Sequence, residues 1–307
     1  MNNRITQILG TEFPLIQGPM RQLTMGEVAA AVSNSGGFGQ IAASRASGEE
    51  LRSEIKKARS LTDKPFGINI PIFRPNALEA LTIAIDMGIQ TITTSAGSPA
   101  KMIDRIKDAG LKVLHKVSTL DMALKAESLG VDAVIAMGYE AGGHIGREDT
   151  TTFCLVPQLT DALKIPVVAA GGIGDARGLV AALALGAEGV EVGTRLVATL
   201  ECPAPDFFKQ SILDTKGNNT ILLGKGSMPS RVLKNQMAEA LSNPDRADND
   251  KIAKGEQGYI KGDADTAILP AGQVAGLISD IKRINQIFPQ MIEGGKKLSS
   301  NLYDFFK

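Results

Sequence analysis

The sequence is poor in the residue types that bind metals or form disulfide scaffolds. Its 307 residues include no Trp, two His and two Cys, and aromatic residues make up 4% of the chain. The two cysteines have neither metal-ligand spacing nor the density of a disulfide scaffold. We therefore expect reduced thiols, with Cys154 as a small core residue, no metal site, and a core of Ala, Val, Ile and Leu.

Net charge and long apolar runs are also missing. Thirty-three Lys and Arg balance thirty-three Asp and Glu, which gives a formal charge of +0. No basic surface is therefore expected for nucleic acid or for an anionic membrane. The longest apolar run, Leu179–Leu185, is too short to span a bilayer, and the N-terminus has no signal-peptide core. These features predict a cytoplasmic protein that binds neither nucleic acid nor membrane.

The sequence does contain a repeated unit, an apolar strand followed by an amphipathic helix and a glycine. This alternation predicts an α/β fold with a parallel sheet. Eight strands are predicted, at Leu15–Gln17, Phe38–Ile41, Phe66–Ile70, Thr91–Thr94, Lys112–Val117, Ala133–Met137, Val167–Ala170 and Gly189–Val192. Seven helices are predicted between them, at Met25–Ser35, Gly48–Ser60, Asn76–Met87, Pro99–Ala109, Leu120–Leu129, Cys154–Leu163 and Asp175–Leu185.

Four of these helices end on the same signal, a glycine followed by an apolar residue. The glycines are Gly88, Gly110, Gly130 and Gly186. A glycine just past a helix adopts the left-handed conformation and turns the chain into the next strand. The recurrence of this signal, with eight strands, favours a closed (β/α)8 TIM barrel. An open doubly wound sheet stays the alternative, because strand order is not visible in a sequence.

The regular alternation stops after Arg195. We predict a barrel formed by residues 1–198 and 267–307, interrupted at 199–266 by a small inserted lid of short helices. The most loop-like part of this insertion is 243–258. The helical pattern Ala271–Ile278 would complete the eighth unit, and the chain is predicted to end in the helix Arg283–Lys297.

Two neighbouring strands within 165–195 each end in glycine. Gly171 and Gly172 follow the first strand, and Gly193 and Thr194 follow the second. Glycine lets main-chain N–H groups approach a ligand closely, and the helix after Gly172 adds a partial positive charge at its N-terminus. We interpret these four residues as a phosphate grip. The alternative, that the glycines only shape the turns, stays open on these residues alone.

The ends of the other strands predict the remainder of a ligand site, because such barrels bind ligands where the strands end. His144 follows the sixth strand in a glycine-rich loop, and an imidazole titrates near neutrality, so we interpret it as a catalytic acid–base group rather than a solvated loop histidine. The other residues at these ends are small or polar and predict a cradle for a flat, phosphate-bearing cofactor: Gly18, Pro19, Met20, Asn69, Lys116 and Gly142.

Four side chains near this site have specific expectations. Lys116 is predicted to face into the barrel and balance a cofactor anion, and its neighbour His115 to pack outward under a helix. Asn69 is interpreted as a hydrogen-bonding partner for a heterocycle, with strand-end turn chemistry as the alternative. Glu140 is expected to be a solvated loop charge.

Taken together, these motifs resemble the nitronate monooxygenase (2-nitropropane dioxygenase-like) family, which also contains FMN-dependent enoyl-ACP reductases and NADH:quinone reductases. The matching pieces occur in the family's order across nearly the whole barrel. They are PLIQGPM at 14–20, SGGFG at 35–39, DKPFGINI at 63–70, HK at 115–116, ALKAESLGVDAV at 123–134, EAGGHIG at 140–146, IPVVAAGGIGD at 165–175, EVGTR at 191–195 and AGQVAGL at 271–277.

The resemblance implies a TIM barrel that holds FMN, with His144 as the family's catalytic histidine. The FMN phosphate would lie at the phosphate grip. The ring would lie against Gly18, Pro19, Met20, Asn69 and Lys116, with Gly142 close to it. Relatives often carry glycine where this chain has Pro19, which has no main-chain N–H to offer a flavin.

Three chemistries share this fold and cofactor. We favour nitronate monooxygenase, which oxidises alkyl nitronates with O2 to carbonyl compounds and nitrite. The alternatives are an enoyl-ACP reductase and a quinone reductase, both of which would use NAD(P)H. A non-redox barrel that binds another phosphorylated ligand also stays open. The sequence leaves the oligomeric state open as well, a homodimer included.

Overall fold

The computed structural model describes residues 2–44, 46–217, 219–224, 228–243 and 267–307, together with Gly255, Gly258 and Gly262. Its strands are β1 (Leu15–Gln17), β2 (Gly39–Ala42), β3 (Phe66–Pro71), β4 (Thr91–Ser95), β5 (Lys112–Val117), β6 (Ala133–Met137), β7 (Gly143–His144), β8 (Val167–Ala170), β9 (Gly189–Val192), β10 (Thr220–Leu223) and β11 (Ser230–Leu233). The predicted strand bounds agree with the observed ones to within one residue.

Eight of these strands form one parallel sheet in the order β1-β9-β8-β6-β5-β4-β3-β2. The two outer strands of this order meet where Ile16 pairs in parallel with Phe38, just before β2. This contact closes the sheet, so the (β/α)8 TIM barrel is confirmed and the open doubly wound sheet is excluded.

Two buried glutamine side chains strengthen the closure between β1 and β2. Gln40 Nε2 donates to the main-chain oxygen of Gln17 at 2.5 Å, and Gln17 Nε2 donates to the main-chain oxygen of Gln40 at 2.9 Å. Both side chains are fully buried. They therefore satisfy polar main-chain groups at a place where the ladder between the two strands is short.

The helices surround this barrel and were largely predicted. They are α1 (Arg4–Leu9), α2 (Gly26–Asn34), α3 (Gly48–Leu61), α4 (Ala77–Asp86), α5 (Ile103–Asp108), α6 (Leu120–Leu129), α7 (Thr152–Ala162), α8 (Ala176–Ala184), α9 (Thr194–Val197), α10 (Asp206–Leu213), α11 (Gln236–Ser242) and α12 (Ile284–Phe305), with 3-10 turns at Pro99–Lys101 and Gln273–Leu277. The four helix-ending glycines all have positive φ, from 64° at Gly88 to 98° at Gly186. The prediction of their left-handed conformation is confirmed.

The core has an inner and an outer layer. Inside the barrel, Ile16, Phe38 and Leu114 pack together with Ile5 and Leu9 of α1, a helix that was not predicted. This helix begins at a capping box formed by Asn3 and Thr6. The outer layer, between strands and helices, holds most of the buried Ala, Val, Ile and Leu, as the composition predicts.

The assignment of Ala271–Ile278 to the eighth unit is wrong. This segment forms only the 3-10 turn Gln273–Leu277, which packs against α9 and α10. The helix that completes the ring is α12, which packs against α8 and α2 through buried Ile287, Phe288 and Met291. The apolar spacing of α12 provides a continuous face for the barrel, and Gly272 and Gly276 weaken a helix in the earlier segment.

The insertion contains strands as well as the expected helices. Besides α10 and α11, it forms β10 and β11, and β11 also pairs antiparallel with β7 of the barrel loop. The division into a barrel at 1–198 and 267–307 and an insertion at 199–266 stays a prediction. Most of the loop-like stretch 243–258 lies outside the described residues.

Cys154 is exposed, so its assignment to the core is wrong. Helix α7 buries Leu155, Val156 and Leu159 on its inner face, which places Cys154 on the outer side. Cys202 is buried, and burial raises the pKa of its thiol. Over the ranges that the structure describes, no helix combines the length and hydropathy needed to cross a membrane. The cytoplasmic location stays a prediction.

Candidate active site

A cavity of about 660 Å³ opens at the carboxyl ends of the barrel strands. Its wall contains every residue predicted for the site: Gly18, Pro19, Met20, Asn69, Lys116, Gly142, His144, Gly171, Gly172, Gly193 and Thr194. The structure thus brings these residues to one place. Their assignment as cofactor-binding and catalytic residues stays a prediction, and the contacts below define what each can do.

The phosphate grip has the open geometry that an anion requires. A Cβ built on Gly193 would have no other heavy atom within 4 Å, and Gly171 and Gly172 have φ values of +102° and +76°. Among the described residues, the N–H groups of Gly172, Gly193 and Thr194 donate to no protein acceptor. Three main-chain donors without a protein acceptor therefore belong to residues that line one cavity, which suits a phosphoryl group.

Thr194 adds a hydroxyl to this set. Its Oγ1 accepts a hydrogen bond from the N–H of Gly272 at 2.9 Å, so its own proton remains available as a donor. Thr194 also begins the short helix α9. The segment at Gly272 therefore fixes one side of the phosphate grip in place.

Glu140 supports the other side of the grip, so the expectation of a solvated loop charge is wrong. Its carboxylate accepts from the N–H of Thr152, at the start of α7, with Oε2 at 2.8 Å. Thr152 Oγ1 lies 3.1 Å from Glu140 Oε2 and 3.0 Å from the main-chain oxygen of Gly171. An acidic side chain at a helix N-terminus is stabilised by the unpaired N–H groups there. Glu140 and Thr152 together hold the turn at Gly171.

The stretch from Gly18 to Met20 forms a wall without main-chain donors for a ligand. The N–H of Gly18 donates to Val192 at 2.8 Å, Pro19 has no N–H, and the N–H of Met20 donates to Thr24 Oγ1 at 2.9 Å. A Cβ on Gly18 would lie 3.1 Å from the Cα of Gly193, so glycine lets β1 and β9 approach closely. This wall offers shape and apolar surface.

Asn69 is fixed by a chain of buried hydrogen bonds that begins at the barrel closure. Thr93 Oγ1 donates to Gln40 Oε1 at 2.5 Å, and Asn69 Nδ2 donates to Thr93 Oγ1 at 2.9 Å. All three side chains are at least 97% buried. This bond uses one of the two N–H donors of the Asn69 amide, and the residue lines the cavity with its amide orientation fixed.

Lys116 faces the cavity, but it is already paired with an acid. Its Nζ lies 2.5 Å from Glu191 Oε1, and 12% and 6% of the two side chains are exposed. The predicted inward orientation of Lys116 agrees with this arrangement. Glu191 already offsets its charge, and the role of Lys116 toward a cofactor anion stays a prediction. Glu191 was missed, although a single acid within the buried strand GVEV was a signal for it.

His115 points away from the cavity, into the layer between strands and helices. Its Nδ1 lies 2.8 Å from Thr94 Oγ1, and the residue is 3% exposed. Burial lowers the pKa of His115 to about 4. The expectation of a structural histidine beside an inward-facing Lys116 agrees with this arrangement.

His144 lies at the cavity mouth on the two-residue strand β7. Its backbone pairs with Ser230 of β11, and its side chain is exposed. The preceding loop lies close to the segment at Gly272, because a Cβ built on Gly142 would be 2.5 Å from the nitrogen of Gly272. The N–H of Gln273 also donates to the main-chain oxygen of Glu140 at 2.9 Å. The loop is thus held to the segment that also fixes Thr194, which sets the imidazole above the same cavity.

Metal ligands are not clustered in the part of the chain that the structure describes, where no group of three or more His, Cys, Asp or Glu is placed to hold an ion. The site is instead a glycine-lined cavity, with the predicted phosphate grip and an exposed imidazole in its wall. The fold is that of a TIM barrel, and the phosphate-bearing ligand stays a prediction.

The chain belongs to the nitronate monooxygenase family, whose model matches residues 2–294. It is similar to FabK from Thermotoga maritima, with 37% identity, a TM-score of 0.95 and coverage of 99% of both chains. A curated relative from Rhodococcus jostii, (3aS,4S,5R,7aS)-5-hydroxy-7a-methyl-1-oxo-octahydro-1H-indene-4-carboxyl-CoA dehydrogenase, is 36% identical over 79% of this chain and 69% of its own. A probable nitronate monooxygenase from Staphylococcus saprophyticus is 32% identical over 80% and 82%.

The predicted family is therefore confirmed, and the protein is a flavin-dependent oxidoreductase. This class excludes the non-redox phosphate-binding barrel. The relatives differ in the reactions for which they are named, so they leave the substrate undetermined.

Proposed function

We propose that the protein binds FMN and acts as a nitronate monooxygenase, converting alkyl nitronates and O2 to carbonyl compounds and nitrite. The observation that carries this proposal is the presence of the phosphate grip and His144 in the wall of one cavity. The named activity of the Staphylococcus saprophyticus relative supports it.

The cavity fits FMN in three respects. The phosphate grip offers three main-chain N–H groups and the Thr194 hydroxyl to an anion. The wall Gly18–Met20 offers apolar surface to a flat ring, and Asn69 offers a side-chain amide that is held by Thr93. The volume of about 660 Å³ lies within the range of cofactor sites, roughly 300 to 1,000 Å³.

When bound, FMN would supply the electron transfer, and the protein would supply binding, orientation and proton transfer. A nitronate has already lost the proton of the carbon next to the nitro group, so His144 at the mouth would donate a hydrogen bond to the anionic nitronate. With a neutral nitroalkane it would first remove that proton. Lys116, held by Glu191, would present its remaining N–H donors to the ring, and the balanced pair would add little net charge. The grip would keep the ring in register with His144 by fixing the phosphate.

A second candidate is the NAD(P)H-dependent reduction of an enoyl thioester. Three arginines line the cavity beyond the phosphate grip, Arg21, Arg74 and Arg147. Guanidinium groups suit the phosphates of a pyridine nucleotide or of a phosphate-bearing thioester carrier. The Rhodococcus jostii relative is named for a CoA thioester substrate, which favours this candidate over a quinone reductase.

The experiment that separates the candidates begins with the visible spectrum of the purified protein, which should show bound flavin. The flavoprotein is then mixed under anaerobic conditions with NADH, with NADPH, and with an alkyl nitronate. Nitronate-dependent bleaching, with O2 uptake and nitrite release when air is admitted, is the expected result. Bleaching by a pyridine nucleotide alone, with reoxidation by an enoyl thioester and no nitrite, would replace the first candidate by the second.

A further inference from the structure

One oxygen of Glu191 lacks a partner inside the site. Its Oε1 lies 2.5 Å from Lys116 Nζ, whereas its Oε2 is buried and has no hydrogen-bond partner among the residues that the structure describes. The residue as a whole is 6% exposed. A buried carboxylate oxygen is unfavourable unless a donor reaches it, so this atom points to a donor that the protein does not supply.

The neighbouring strands offer Glu191 no such donor. Glu191 is in register with Ile16 on β1 and with Ala170 on β8, both apolar. It also lines the cavity, together with Lys116 and Gly193. The missing donor is therefore expected to come from a molecule in the cavity.

The position of Glu191 indicates which part of a ligand would reach it. Along β9, Glu191 precedes Gly193 of the phosphate grip by two residues, and across the barrel it contacts Lys116 of β5. A ligand whose phosphate lies at the grip and whose ring lies near Lys116 must pass Glu191 with the segment that joins them. Phosphate oxygens and ring carbonyls are acceptors and would be repelled by a carboxylate. The donors of such a ligand are the ring N–H and the hydroxyls, and of these only the hydroxyls belong to the joining segment that passes Glu191.

We propose that Glu191 Oε2 accepts a hydrogen bond from a hydroxyl of the polyol chain that joins the phosphate and the ring of FMN. This inference rests on the proposed binding of FMN. It assigns Glu191 a role in selecting the cofactor, because a phosphorylated ligand without a hydroxyl there leaves the buried oxygen unpaired. The alternative is that Glu191 only balances the charge of Lys116.

The test is a binding measurement on the apoprotein with FMN and its three analogues that each lack one hydroxyl, at the 2′, 3′ or 4′ position. Binding is followed by the change in flavin fluorescence. Hydrogen bonds to charged groups contribute enough that one analogue should bind the wild-type protein about 10- to 100-fold more weakly than FMN.

Two variants identify the acceptor. The double variant Lys116→Met/Glu191→Met removes the acceptor without leaving an unpaired lysine, and the ratio of analogue to FMN dissociation constants should fall to about one. In the matched control Asn69→Ala, which alters another polar group of the cavity, the ratio should stay at the wild-type value. If the double variant does not fold, Glu191→Gln replaces it, because the amide keeps the shape of the side chain and removes the charge of the acceptor; the ratio should then fall towards one.

Equal affinity of the wild-type protein for FMN and all three analogues, within about twofold, would overturn the inference and leave the proposed FMN binding intact. An unchanged ratio in the double variant would likewise overturn it. Failure of the apoprotein to bind FMN at all would overturn both the inference and the proposed function.

Discussion

Lys116 and Glu191 form an ion pair inside the barrel although they are 75 positions apart in the sequence. Nζ and Oε1 are 2.5 Å apart, and both side chains are largely buried between β5 and β9. A buried charge is stable only while its partner is present. The pair therefore lines the cavity, and the stability of this part of the barrel depends on both of its members.

Removing one member of the pair should destabilise the protein strongly. Lys116→Met leaves the carboxylate of Glu191 buried and unpaired, so we expect the free energy of unfolding to fall by about 3 to 5 kcal/mol. Lys116→Met/Glu191→Met should recover most of that loss. Urea unfolding of the apoprotein measures both values.

The matched control is Lys112→Met on the same strand. Lys112 Nζ lies 3.1 Å from Asp132 Oδ1, but 53% of its side chain is exposed, so its replacement should change stability by less than about 1 kcal/mol. Equal losses for Lys112→Met and Lys116→Met would contradict the importance of the buried pair.

The pH dependence of stability should report His115. In the folded protein burial lowers its pKa to about 4, below the value of about 6.5 for an exposed histidine. Folding favours the neutral form of His115. The contribution of this residue to the free energy of unfolding is therefore fully present above pH 6.5 and is lost as the pH falls towards 4. This shift corresponds to roughly 3 kcal/mol.

His115→Asn removes the titration and keeps a polar atom for Thr94. Between pH 7 and pH 4, the wild-type protein should lose about 3 kcal/mol more stability than this variant. Thermal or urea unfolding at a series of pH values gives the comparison. Parallel pH profiles for the two proteins would contradict the burial of a neutral His115.

Two glycine substitutions should separate ligand binding from stability. Gly193 has φ −108°, and its Cβ position is open to the cavity, so Gly193→Ala should fold normally and place a methyl group where the phosphate is expected. Gly110 has φ +70° and lies away from the cavity, so Gly110→Ala should lower stability by about 1 to 2 kcal/mol.

FMN titration and urea unfolding of both variants provide the readout. Weak FMN binding is expected only for Gly193→Ala, and lower stability only for Gly110→Ala. A Gly193→Ala protein with wild-type FMN affinity would show that the phosphate lies elsewhere.

His144→Ala should impair turnover and leave the cofactor bound. The loss of an acid–base group typically reduces a rate about 10²- to 10⁴-fold. Because His144 lies at the mouth and outside the phosphate grip, the flavin spectrum should persist. Steady-state rates with nitronate, enoyl thioester and quinone substrates check the role, and wild-type rates with all of them would contradict it.

The barrel was predictable because its signals are local. The apolar runs define the strands, and Gly88, Gly110, Gly130 and Gly186 mark the helix ends by a conformation that glycine adopts most easily. Because the carboxyl ends of the parallel strands lie at one face of a barrel, Gly171, Gly193 and the other site residues could be predicted to meet there.

The missed features depend on contacts between distant parts of the chain. Strand β7 has only two residues and exists because β11 of the insertion pairs with it, which no local pattern reveals. The partner of Lys116 lies three barrel strands further along the sequence. The turn at Gln273–Leu277 has an apolar spacing that does not distinguish it from a helix. Glu140 reads as a loop charge until the fold places it at the start of α7.

The most direct test of the account is a crystal structure of the protein with FMN bound. We expect the phosphate to accept hydrogen bonds from the N–H groups of Gly172, Gly193 and Thr194, with the ring beside Lys116 and facing His144. A phosphate bound away from Gly193, or a ring that lies beyond the reach of His144, would contradict the central claim.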